Sequence, residues 1–70
     1  MQDAIRSYLY RRQQQQINAS DACADAAEHY GIHPDVLARY LIDSGAVTGR
    51  DADRLALFAS DVCAMRAAMI

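Results

Sequence analysis

The chain has 70 residues and a formal charge of −2, with nine carboxylates against seven arginines and no lysine. A chain this short is one domain, near the lower size at which a single core holds without a staple or a partner. Over half of its residues are apolar, but many are alanine, so the core of one copy is modest. No apolar run reaches membrane length, and Arg6, Arg11 and Arg12 interrupt any signal-peptide layout, so a cytoplasmic protein with reduced cysteines is expected. Helix formers dominate and no stretch alternates with period two, which predicts an all-α, compact four-helix domain.

The first helix is expected from about Gln2 to Gln16. Met1, Ile5, Tyr8 and Leu9 share one face, and continuing that face brings Arg12 and Gln16, where the helix leaves the core. Ile17 tucks back in at the turn. Asn18 or Ser20 then supplies an N-cap for a second helix from about Asp21 to Tyr30, with Asp21 at the positive end of the dipole. Gly31 suits the left-handed residue that ends such a helix. Pro34 suits the first position of the third, where its missing N–H is no loss.

The third helix carries Leu37, Tyr40 and Leu41 on its inner side and ends at Ser44-Gly45. A loop, "GAVTGRDAD", leads to a fourth helix over about Ala52 to Met69, capped by Thr48 or Asp51. In that helix Leu55, Phe58, Val62, Met65 and Met69 recur at coiled-coil spacing. Beside them runs a smaller face of Ala52, Ala56, Ala59, Cys63, Ala67 and Ile70. The combined apolar arc is wider than one core needs, so a homodimer through this helix is expected. Arg66 lies between the two faces and must snorkel or pair, with an acid of the second copy as one partner.

Catalysis and cofactors find no support. There is no glycine-rich phosphate loop, nucleophile elbow or metalloprotease helix. Cys23, His29, His33 and Cys63 lack the paired close spacing of a structural zinc site. Both cysteines read as small core residues. No catalytic residue, metal or cofactor is therefore assigned. Tyr8, Tyr30 and Tyr40 are expected inside, and Tyr10 outside.

The stretch "AAEHYGIHPDVLARYL" resembles the helix-turn-helix of phage and plasmid DNA-binding regulators, over about Cys23 to Ile42 within a unit of about Ser20 to Ser44. Ala27 stands where that motif keeps a small residue for close crossing. Gly31 stands at its turn glycine and Ile32 at its apolar plug. Ala26, Tyr30, Leu37 and Tyr40 fill its inward positions. His33 departs from the usual Ser or Thr before the proline. The resemblance implies a regulator of transcription whose second helix lies in the major groove of double-stranded DNA. Residues carried over to the DNA face are His33, Pro34, Asp35, Ala38, Arg39 and Ile42, with Arg39 as a guanine contact and Arg11 and Arg12 on the backbone. The plainer reading of Arg39 is a solvated residue paired with Asp35 or Asp43 one turn away.

Charge pulls the other way. Across Ser20 to Ser44 five carboxylates face one arginine, whereas nucleic-acid binders show a basic stripe. In size and charge the chain also resembles small phage inhibitors such as anti-CRISPR proteins. That likeness implies a basic host protein surface as partner, met by Asp21, Asp25 and Glu28. The plainer reading of those acids is a solvated helix face.

Overall fold

The computed structural model describes residues 2–68. They form four helices, α1 (Gln2–Gln13), α2 (Ala19–His29), α3 (Pro34–Asp43) and α4 (Gly49–Ala68), and the fold is all-α. Met1, Met69 and Ile70, which the sequence places on apolar faces, lie outside the described residues.

α2 is the hub, packing against α1, α3 and α4 alike. Its composition explains why. The buried residues are Ala19, Ala22, Cys23, Ala26 and Ala27, all small. Small side chains on several sides of one helix let three neighbours approach closely, and the neighbours bring the bulk. Tyr8 from α1, Leu37 and Leu41 from α3 and Leu55 from α4 are, with Cys23, the largest fully buried side chains. Ile5, Leu9, Ile17, Ile32 and Phe58 seal the edges of this cluster.

The breaks follow local chemistry. α1 stops at Gln13, short of the expected Gln16, because Gln16 itself turns left-handed at φ 55°. The Ile17 amide then donates back to the Arg11 carbonyl at 3.0 Å. Asn18 caps α2 by accepting from the Asp21 amide at 2.9 Å, so the helix opens at Ala19, two residues before the expected start. At its far end Gly31 sits at φ +66°. The Gly31 amide reaches the Glu28 carbonyl and the Ile32 amide reaches Ala27, the paired bonds of a Schellman ending. Pro34 opens α3 after His33, whose side chain makes no cap bond.

α3 and α4 run antiparallel, since Asp35 near the start of one meets Arg66 near the end of the other at 2.6 Å. This contact settles the partner of Arg66: it is an acid of the same chain. α4 begins at Gly49, not Ala52, which places Asp51 in its first turn, where a carboxylate suits the dipole. Arg12 reaches across from α1 and grips both Asp51 oxygens at 2.9 Å. The end of α1 is thereby tied to the start of α4.

Candidate functional site

α3 lies between α2 and α4, and that position fixes its rotation. Its buried residues are Leu37, Ala38 and Leu41. Tyr40, expected inside, is 40% exposed. The inward arc is therefore turned toward Ala38, because α4 runs along that side and a small residue permits the approach. Asp35 and Arg39 line a shallow cleft of about 350 Å³ with Ala56, Ala59, Ser60, Cys63 and Ala64 of α4.

This rotation corrects part of the DNA face carried over from the resemblance. Ala38 is 0% exposed, so it touches helices of its own chain and not a ligand. Ile42 is partly buried against the core. Asp35 is held by Arg66. Burial would raise its carboxyl, but the hydrogen bond and charge of Arg66, with the amides at the helix start, pull it below the ordinary carboxylate value. His33 and Arg39 are exposed. Among the described residues Arg39 makes no ion pair, with Asp35, Asp43 or any other acid.

What α3 does present is a stripe of Val36, Tyr40 and Asp43, with Arg39 beside it and His33 at the near end. Tyr30, expected inside, stands exposed at the corner before it and meets the His29 ring edge-on at 4.8 Å. Sequence reasoning missed Val36. The signal available was its position one helical turn from Tyr40, on the side opposite Ala38.

The two flanking arginines are both engaged. Arg12 carries its bidentate pair with Asp51 and a further bond to the Ile17 carbonyl at 3.3 Å. The hydrogen bonds it donates to Asp51 hold its guanidinium above the ordinary value, so it is a strut between helices and not a waiting phosphate contact. Arg11 turns back onto the hydroxyl and carbonyl of Ser7. Beneath Arg12, Tyr8 is fully buried, and its hydroxyl has no hydrogen-bond partner among the described residues. Burial, then the nearby Asp51 charge, push this phenol up to about 12.

The acidic alternative falls on one exposed face. Asp21, Asp25 and Glu28 follow at four- and three-residue spacing along α2, and all are exposed. Asp21 accepts from the Asn18 side-chain amide at 2.9 Å, while Asp25 and Glu28 border a shallow cleft with Arg11 and His29.

Of the seam expected in α4, one residue is corrected. Leu55 is 0% exposed within one chain and belongs to the core. Phe58 packs against that core, Val62 is half-buried, and Met65 is 62% exposed. Leu57, outside the expected seam, is 70% exposed.

Cys63 is exposed, not a core residue, whereas Cys23 is buried and its thiol donates to the Pro34 carbonyl at 3.5 Å. Burial pushes that thiol up to about 12, which leaves it protonated and unreactive. Among the described residues no three His, Cys, Asp or Glu side chains gather as a metal site, and no helix is long and apolar enough to cross a membrane. Comparison with protein-family models, curated proteins and solved structures returns no match.

Proposed function

We propose that the chain is a small DNA-binding transcriptional regulator of helix-turn-helix type, with α3 entering the major groove of double-stranded DNA. One observation carries the reading: α3 follows α2 round a glycine corner and keeps a full stripe exposed, with Arg39 beside it in no ion pair among the described residues. The contact set is revised accordingly. His33, Val36, Arg39 and Tyr40 meet DNA, while Asp35 is held by Arg66, and Ala38 and Ile42 are turned to the core. Arg39 is suited to fork onto a guanine, Val36 to touch a thymine methyl, and Tyr40 to reach a phosphate or base edge. The acidic remainder of the surface makes binding weak per copy, and with Arg39 the one arginine of the contact set its salt dependence is shallow.

The test is a selection from random duplexes at low salt, followed by affinity measurements on the enriched site. Arg39→Ala should weaken that site by about 1–3 kcal/mol and relax the preference at one base pair. An unenriched pool would refute the reading.

A second reading is favoured by the exposed stripe of Asp21, Asp25 and Glu28. In it the helices serve as a scaffold, and those carboxylates meet a basic host protein surface as phosphates would. An empty DNA selection, with a partner interaction lost on Asp25→Asn together with Glu28→Gln, would establish that reading in place of the first.

A further inference from the structure

Along α4, Arg50, Arg54, Leu57 and Asp61 follow one another at four- and three-residue spacing, so they form one stripe. The stripe borders an open groove of about 480 Å³, whose other walls are Asp53, Phe58 and Ser20 of α2. Leu57 projects from it at 70% exposure. Exposed leucines are common and mean little singly. Here the leucine stands between two charges of opposite sign, Arg54 and Asp61, two helical turns or about 10 Å apart. Neither finds an ion-pair partner among the described residues.

That pattern is complementary to its own reverse. We infer that the α4 face centred on Leu57 and Phe58 is the site at which a second copy of this chain docks, antiparallel, about a two-fold axis between those two residues. Such an axis sets Arg54 of each copy opposite Asp61 of the other. Leu57 of each copy then enters the groove beside Phe58 of the other. The contact is isologous and closes as a dimer. A parallel pairing would place Arg54 against Arg54 and Asp61 against Asp61, and like charges disfavour it. The surface differs from the seam that periodicity alone suggests, because Leu55 is consumed by the core and Leu57 takes its place.

Sedimentation equilibrium on the full chain tests it, with circular dichroism confirming that each variant keeps its helices. The wild type should run at twice 7.7 kDa. Arg54→Glu and Asp61→Arg should each weaken self-association by roughly tenfold or more, and the double variant should recover it, because the swap restores both pairs. Leu57→Ser should also weaken it. A monomeric wild type at millimolar concentration overturns the inference. A dimer indifferent to the single charge reversals, or one the double variant fails to recover, overturns it as well.

Discussion

Tyr8 offers the sharpest test of how this small core is built. It is the largest of the fully buried side chains, yet its hydroxyl is buried without a hydrogen-bond partner among the described residues. An unsatisfied buried polar group costs about 1–3 kcal/mol. Tyr8→Phe removes that penalty and leaves the ring in place. The void left by one oxygen subtracts only a few tenths of a kcal/mol, at about 24 cal/mol per Å³ of cavity. The net expectation is a gain of about 1 kcal/mol, read by urea unfolding or as a rise in Tm of about 4–8 °C for a domain of this size. Tyr8→Ala, by contrast, should cost about 3–5 kcal/mol. That is comparable with the whole stability expected of such a chain, so this variant should be largely unfolded.

The same residue predicts a pH effect. The folded phenol titrates near 12 instead of 10, so between those values the folded state holds a proton that the unfolded state has released. Stability from this group is complete below the unfolded value and is lost as pH rises toward 12. Tyr8→Phe should remove that alkaline loss, and its unfolding profile should flatten above pH 10. A Tyr8→Phe protein destabilised by more than about 1 kcal/mol would refute the reasoning, by showing that the hydroxyl is satisfied in solution.

Two further expectations concern the corner and the α3–α4 contact. Gly31→Ala should cost about 1–2 kcal/mol by thermal denaturation, from left-handed backbone alone, since no atom lies within 4 Å of the added Cβ; an unchanged Tm would show the corner differently built. Asp35 is held below its ordinary value, so its contribution is present above the unfolded value near 3.9 and fades as pH falls through the lower folded one. Amide exchange in the last turns of α4 should rise there, modestly because Arg66 is exposed, and Asp35→Asn should abolish the pH response; equal responses in both proteins would contradict the assignment.

The sequence by itself determined the number of helices and most of their ends. Asn18, Gly31 and Pro34 act within a few residues of themselves, through a side-chain cap, a left-handed backbone and a missing N–H, so their effects need no knowledge of the neighbours. Periodicity also named Leu37 and Leu41 as inward residues, and both are fully buried. It erred where an arc had more than one candidate edge. A helix wheel orients residues about their own axis and does not say which neighbour lies on which side. The arc of α3 includes Ala38 and releases Tyr40 because α4 occupies one flank, a fact of packing between distant segments. Alanine compounds the ambiguity, since its small apolar surface fits a hub, a close crossing or open solvent almost equally. The same holds for charge. Arg12 and Asp51 stand 39 residues apart in the chain, and Arg66 and Asp35 stand 31 apart. Only the tertiary structure could turn the first arginine from a DNA contact into a strut and the second from a link between copies into a clasp within one, because both pairings depend on which helix ends the packing brings within reach.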